Sequence, residues 1–274
     1  MEWFVERHDG TGFMVKGEKI LEKKGLQKIE VFSTSLGKML VLDGKIQFSE
    51  ADEKFYHEML VHVPLLLHPE PRKILIIGGG DGGAAREALK HDPDKIKMIE
   101  IDRDVVEICK KYIGIDEGAL ENDRVEIIFQ DGIEFIKNCQ EKFDVIIVDG
   151  SDPDAVSKPL ISKEFYSRCA GICDVFVTQS QSPFIQQQYF EAILQNSSAF
   201  PWRKIYLSFM PTYPSGMWSF LIASGKELEI DSELIKSRYE ERKIKTYHYN
   251  PDLHATSFAL PNWVKEIAEK YGIK

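Results

Sequence analysis

The chain has no run of about 18 apolar residues, so no stretch has the length a bilayer-spanning helix requires. It has no internal repeat and no low-complexity segment, which argues against solenoids and disordered tails. Cysteine is scarce. Four residues in 274 (Cys109, Cys139, Cys169 and Cys173) do not make a disulfide scaffold, and no His or Cys partners stand at zinc spacing near them. Cys169 and Cys173 lie four apart, which is expected to place two buried thiols on one helix face. Positive charge is in deficit, with 35 Lys and Arg against 44 Asp and Glu for a net charge of -9. Nucleic acid phosphates are repelled by such a balance unless a basic patch intervenes. The pairs Lys23-Lys24 and Lys110-Lys111 are short and flanked by acids, so neither nucleic acid nor membrane is an expected partner. The start, MEWFVERHDG, lacks a charged segment followed by an apolar core, and the expected setting is the reducing cytoplasm.

What the chain does contain is an alternation of short apolar runs. Residues 1–51 are expected to form a small N-terminal β domain, with β-prone runs at 28–32, 38–42 and 45–48 and an Asp43-Gly44 hairpin turn. A few strands alone are marginal, so this piece must lean on the larger domain or on a second subunit. Phe55, Met59, Leu60, Val63, Leu66 and Leu67 stand at helical spacing and predict a helix over 50–68, kinked or broken at Pro64. Residues 52–274 are expected to form the catalytic domain. Strand candidates at 73–77, 96–101, 125–129, 143–148 and 175–178 alternate with helical patterns such as 102–112 and 163–170. That alternation implies an α/β fold with a mostly parallel sheet covered on both faces. Runs at 204–209 and 217–223 flank a Pro/Gly-rich turn and suit an antiparallel edge pair.

Residues 73–102 read KILIIGGGDGGAAREALKHDPDKIKMIEID: strand, glycine-rich turn, helix, strand and terminal acids, the pattern of a nucleotide-binding βαβ unit. In such sheets ligands bind along the carboxyl ends of the strands. The residues there are Asp81, Glu100, Asp102, Asp131, Asp149, Asp152, Gln179 and Gln181, a concentration of acids that scattered loop positions do not explain. Glu100 stands about 20 residues beyond the glycine turn, where a carboxylate can hold both hydroxyls of an unphosphorylated ribose. Asp131 is placed for an adenine edge. The turn itself holds Asp81 and no phosphate-binding lysine, so its ligand is expected to be cationic and not a pyrophosphate.

The motifs Gly78-Gly79-Gly80-Asp81-Gly82-Gly83, Glu100-Ile101-Asp102, Asp131-Gly132, Asp149-Gly150-Ser151-Asp152-Pro153 and Pro211-Thr212-Tyr213-Pro214-Ser215-Gly216, with Tyr56-His57-Glu58-Met59, resemble the spermidine synthase family of aminopropyltransferases. The likeness runs from about Gln27 to Pro261, in the family's order. It implies a Rossmann-like, methyltransferase-type sheet behind the small N-terminal β domain. It also implies transfer of the aminopropyl group of decarboxylated S-adenosylmethionine, a co-substrate, to putrescine, giving spermidine and methylthioadenosine. No cofactor and no metal are implied. Donor binding would fall to Gln27, Gly78, Gly80, Asp81, Glu100, Asp131 and Gly132. The polyamine groove would be lined by Tyr56, His57, Asp81, Asp149, Asp152, Gln179 and Tyr213, with Trp218 packed beside it. Asp149 would be the proton acceptor.

Two segments depart from the family's pattern. Residues 154–159 (DAVSKP) carry a displaced proline where a Gly-Pro pair is common, and Gln181 stands where many members have an acid. Other acceptors (agmatine, cadaverine, spermidine), methyl transfer from S-adenosylmethionine, and a silent nucleoside-binding scaffold are the competing readings. The unpaired strands of the small domain predict a homodimer or homotetramer with those strands at or near the contact.

Overall fold

The computed structural model describes residues 1–8, 11–153 and 157–274. The chain begins with β1 (Glu2–His8), β2 (Thr11–Lys24), β3 (Lys28–Thr34), β4 (Gly37–Leu42) and β5 (Lys45–Ser49), followed by α1 (Glu53–Leu67). It then alternates through β6 (Lys73–Gly78), α2 (Gly83–Leu89), β7 (Lys95–Glu100), α3 (Arg103–Ile108), β8 (Val125–Phe129), α4 (Gly132–Asn138) and β9 (Phe143–Asp149). The remainder is α5 (Lys163–Ala170), β10 (Cys173–Gln179), α6 (Gln187–Asn196), β11 (Trp202–Phe209), β12 (Met217–Ser224), α7 (Ser232–Glu241), α8 (Pro251–Ser257) and α9 (Asn262–Lys270).

Strands β1 to β5 form one antiparallel sheet in sequence order. Its two faces follow the period-2 pattern: Ile29, Val31, Leu40 and Leu42 point one way, while Phe32, Met39 and Val41 point the other. The first face, with Phe48, packs on Val105, Ile108, Cys109, Ile113 and Ile115 from α3 and the π-helical turn that extends it. Five apolar side chains buried at about 1.5–3 kcal/mol each give roughly 10 kcal/mol of gross attachment to the larger domain. The small sheet therefore leans on the large domain. Asp43 (φ 49°) and Gly44 (φ 80°) form the tight turn between β4 and β5, both left-handed as a type I′ hairpin requires.

The second sheet has seven strands in the order β11-β12-β10-β9-β6-β7-β8. β10, β9, β6, β7 and β8 run parallel, and β12 and β11 add an antiparallel edge. This is a Rossmann-like α/β sheet. One face carries a core with residues of α1, α2 and α7, and the other a core with residues of α4, α5, α6 and α9. Its central strands are apolar through their middles, Ile74–Ile77 in β6 and Val145–Val148 in β9, because both faces are covered there.

Two points are corrected: the break expected as one alternative at Pro64, and the helix face expected for Cys169 and Cys173. Pro64 does not break α1, which runs unbroken over Glu53–Leu67, and His68 N still donates to Pro64 O at 3.1 Å. Proline removes one N–H, but here it sits in the last turn among side chains buried from Tyr56 to Leu67, where packing outweighs a single lost bond. In the turn before it, Met59 O accepts from Tyr206 Oη at 3.0 Å. Cys169 and Cys173 do not share a helix face: α5 ends at Ala170 with Gly171 as its cap, so Cys169 is helical and Cys173 opens β10. No helix among the described residues is long and apolar enough to cross a membrane.

Candidate active site

Strands β6 and β9 are neighbours in the sheet but distant in sequence, with β7 and β8 added on one side and β10 on the other. Connections leave these two strands in opposite directions and open a crevice at their carboxyl ends, the usual ligand position in such sheets. Gly78, the last residue of β6, pairs with Asp149, the last of β9. Its φ is +85°, and a Cβ there would lie 2.2 Å from Asp149 O, so a side chain is excluded by conformation and by space. Gly79 N donates to the same carbonyl at 3.0 Å, which pins the glycine turn to the strand carrying the acid.

Over the crevice lies a cleft of about 1150 Å³, counting its open mouth. Gln27, Tyr56, His57, Gly78, Gly80, Asp81, Glu100, Asp131, Gly132, Asp149, Asp152, Gln179, Tyr213 and Trp218 all line it. Every residue assigned to donor or polyamine binding is thus in one cavity, while Asp102 and Gln181, also expected at the strand ends, do not line it. Their environments differ, and the differences set their chemistry.

Asp81 Oδ1 accepts from Gly83 N at 2.7 Å and lies 3.4 Å from His57 Nε2. Burial alone would raise its pKa, but the His57 charge and bond, the Gly83 N–H and Arg86 hold it below the usual carboxylate value. Asp149 goes the other way. Burial, then repulsion from Asp81, pushes it up to about 6, with His57 and Tyr56 acting against the rise. Its Oδ2 is buried and has no hydrogen-bond partner. Two neighbouring acids are therefore held apart in acidity, one firmly ionised and one close to neutrality.

Glu100, at the end of β7, is pushed up to about 7 chiefly by burial, although its Oε1 accepts from Asp102 N at 2.9 Å. Asp102 caps α3 through Asp104 N at 3.0 Å. Asp131 caps α4, its Oδ1 accepting from Ile133 N at 2.7 Å and Glu134 N at 3.4 Å, and the residue lines the cleft. Gln179 Nε2 donates to Gly150 O, and its Oε1 is buried without a partner. Gln181 is absent from the cleft lining. It has φ +66° and borders a small hollow behind the cleft, with Val148, Pro153 and Ile193.

The aromatic wall is tied to the small domain. Tyr213 Oη donates to Gln47 O, and its ring centroid lies 4.6 Å from Trp218 and 6.0 Å from Tyr56. The preceding residue is held by Asp52, whose Oδ2 accepts from Thr212 N at 2.9 Å and Thr212 Oγ1 at 2.7 Å. These bonds fix the rings, not a ligand. His62, at the far side of α1, is a satisfied buried histidine, 2.8 Å from both Glu87 and His91.

Sequence reasoning missed Glu6. It lies on β1, 3% exposed, accepts from Ile46 N at 2.9 Å and lines the cleft. Burial raises its pKa, and Asp152 is pushed up to about 6 by burial first and Glu6 second. The available signal was alternation: Glu6 follows Phe4 by two residues and so shares its inward face. The departure at residues 154–156 lies outside the described residues. Its flank is anchored by Ser151 Oγ and Ser157 Oγ, 2.6 Å apart.

Sheet, switch point and acid-lined cleft define a protein of the Rossmann-like α/β class with a small-molecule site at its strand ends. The model of the spermine/spermidine synthase domain matches residues 53–233, and that of the spermidine synthase tetramerisation domain matches residues 2–50. The chain is 51% identical to the polyamine aminopropyltransferase of Archaeoglobus fulgidus over 98% of this chain and 99% of that protein. It is 44% identical to that of Caldicellulosiruptor bescii over 97% of each. A crystal structure of spermidine synthase with the transition state analogue AdoDATO superposes with a TM-score of 0.94 at 38% identity, covering 98% of this chain and 95% of that one. Spermidine synthase from Thermotoga maritima gives 0.92 at 37%, with the same coverage. The chain belongs to the spermine/spermidine synthase family and is an aminopropyltransferase.

Proposed function

We propose that this enzyme transfers the aminopropyl group of decarboxylated S-adenosylmethionine to putrescine, giving spermidine and methylthioadenosine. The observation that carries this reading is geometric: Asp81 in the glycine turn and Asp149 at the end of β9 bring carboxylate oxygens within 4.8 Å of each other at the switch point, in the same cleft as Glu100 and Asp152. Glu100 accepts the ribose hydroxyls, Asp131 and Gly132 meet the adenine, Gln27 reaches the nucleoside from the small domain, and Gly78 and Gly80 let the turn approach it. Asp81 takes the aminopropyl ammonium. Intact S-adenosylmethionine carries a carboxylate on that carbon, and Asp81 repels it.

Putrescine lies along Tyr56, His57, Gln179, Tyr213 and Trp218, with its attacking amine at Asp149. Its far ammonium is held at Asp152, where Glu6 supplies a second negative group. The attacking nitrogen forms a bond to the carbon beside sulfur, the C–S bond breaks, and its electron pair returns to sulfur as a neutral thioether. The attacking nitrogen must first give up its ammonium proton, to Asp149 or through it to solvent, to free the electron pair that forms this bond, and the product leaves as a secondary ammonium. Full transfer from an amine of pKa about 10.4 to an ordinary aspartate is uphill by about 9 kcal/mol. With Asp149 at about 6 the same transfer is uphill by about 6 kcal/mol, so raising this carboxyl brings proton acceptance within reach as charge builds on nitrogen. The carboxylate also orients the amine and stabilises the growing positive charge.

A sulfonium leaves readily, so the reaction needs neither cofactor nor metal. The cytoplasm is the proposed setting. The small domain is proposed to make the contacts of a homotetramer, the state named in the domain family it matches. Trp3, Val5 and Met14 share one exposed apolar face of β1 and β2, which supports that use. Light scattering should give a tetramer, and Met14→Lys with Val5→Lys should yield smaller species; a wild-type monomer at micromolar concentration refutes this assembly. For the reaction, purified enzyme with putrescine should form methylthioadenosine from the decarboxylated donor and not from the intact one. Methyl transfer to any amine from intact S-adenosylmethionine overturns the reading.

A further inference from the structure

His57 has a surrounding that its place in the cleft does not by itself require. Its Nδ1 lies 2.8 Å from Glu53 Oε2, one turn back on α1, and its Nε2 lies 3.4 Å from Asp81 Oδ1. Carboxylates only accept hydrogen bonds, so a ring facing one at each nitrogen carries a proton on both. The ring cannot swing away. A Cβ on Gly83, the first residue of α2, would lie 2.4 Å from His57 Cε1, so helix and imidazole are in direct contact. His57 is 2% exposed.

Glu53 does not line the cleft, and neither does Arg86, yet both are buried and aimed at this contact. Arg86 grips Glu53 with both ends of its guanidinium, Nη1 to Oε1 at 3.0 Å and Nη2 to Oε2 at 2.9 Å, and Arg86 Nε donates to Glu87 at 2.7 Å. Such a bidentate clamp fixes the carboxylate plane, and with it the direction in which Nδ1–H points. The charged groups facing His57 are Glu53 from α1, Asp81 from the glycine turn, Asp149 from the end of β9 and, one contact further, Arg86 from α2; the Tyr56 phenol is its neighbour. Burial lowers the histidine's pKa, but Asp81 and Glu53 outweigh it and hold the ring well above its ordinary value.

We propose that Glu53, fixed by Arg86, is a positioning residue that keeps a doubly protonated His57 against Asp81, so that the donor's ammonium reaches Asp81 by displacing the His57 Nε2 proton to solvent. The inference rests on the reading that the ammonium binds at Asp81. The ammonium enters protonated, the Nε2–H bond breaks with its electron pair left on nitrogen, and the proton passes to buffer; at Asp81 one cation replaces another, while the donor's sulfonium adds one further positive charge to the cleft. Two cations at contact distance on one buried carboxylate repel strongly, which drives the exchange.

The test is calorimetry of decarboxylated S-adenosylmethionine binding to the whole enzyme at pH 7 in phosphate and in Tris, whose ionisation enthalpies differ. Wild type should release about one proton per donor, and methylthioadenosine, which lacks the ammonium, should release none. Glu53→Gln, retaining methylthioadenosine affinity, should release less than about half a proton, because its His57 is already mostly neutral. If Glu53→Gln does not fold, the ring nitrogen NMR shifts of wild-type His57 decide, moving from imidazolium to neutral imidazole when donor is added. Donor binding without buffer dependence, or a ring that stays charged, overturns this inference alone. Equal release by Glu53→Gln and wild type removes the role of Glu53. A donor that neither binds nor turns over refutes the functional reading itself.

Discussion

Asp81→Asn is the most informative single substitution in the donor half. Asparagine keeps the size of the side chain and, through Oδ1, the bond from Gly83 N at 2.7 Å that shapes the turn, so the backbone should survive. What disappears is the charge. Opposite charges about 4 Å apart at an effective dielectric near 20 attract by about 4 kcal/mol, part of which the amide dipole retains. The expected loss in kcat/KM for the decarboxylated donor is therefore about 100-fold to 1,000-fold, measured by methylthioadenosine formation with putrescine saturating. A second readout accompanies the first. Asp81 is one cause of the raised Asp149 pKa, so the acidic limb of the kcat/KM profile, which reports the free enzyme and is expected near 6 in wild type, should move to lower pH. The intact donor should gain relative to the decarboxylated one, because the group that repels its carboxylate is gone. A kcat/KM loss under about threefold, with donor preference unchanged, refutes the assignment of the ammonium to this turn.

Asp149→Asn should lower kcat by about 100-fold to 1,000-fold and leave methylthioadenosine affinity unaltered; equal turnover in the variant contradicts its place at the attacking amine. In wild type, activity should fall as pH drops through about 6, since the carboxylate must be ionised to meet the amine. Glu100 makes an opposite bargain between stability and binding. Its folded pKa of about 7 exceeds the ordinary value, so the stability it contributes is complete below about 4.5 and is lost as pH rises through 7. Glu100→Gln should therefore stabilise the fold at pH 8 by up to about 3 kcal/mol, leave pH 4 nearly unchanged, and weaken methylthioadenosine binding. Thermal melts with an equal shift at both pH values count against that ionisation. His57, Asp81 and Asp149 place one donor atom each within 4.8 Å of the others, a geometry also open to a divalent cation. Because both His57 nitrogens face carboxylates, exhaustive chelation should leave kcat unchanged; loss on chelation and recovery with a metal refutes the metal-free reading.

The parts of this protein legible in its sequence are those where a local pattern and a tertiary demand coincide. The parallel strands read as short apolar runs because both sheet faces are covered, and the acids Glu100 and Asp149 ended those runs visibly. Asp81 was conspicuous because an acid is an odd occupant of a glycine turn. Pro64 was misjudged because propensity carries no information about how deeply a helix is buried, and Cys173 because spacing alone does not reveal that α5 ends at Ala170. Residues acting across long separations left little local trace. Glu6 meets the cleft from β1, Tyr213 is tied to Gln47 by a bond spanning 166 residues, and Glu53 is gripped by Arg86, 33 residues on. Each is an ordinary polar residue in its own segment, and only the fold gives it a partner.

The central claim is that the cleft joins a decarboxylated, cationic donor to a diamine. A panel of putrescine, agmatine, cadaverine and spermidine, each with decarboxylated S-adenosylmethionine and with products identified by mass, tests it most directly. The account predicts the highest kcat/KM for putrescine, with spermidine and methylthioadenosine formed in equal amounts. A higher kcat/KM for spermidine, or no methylthioadenosine with any of the four amines, contradicts it.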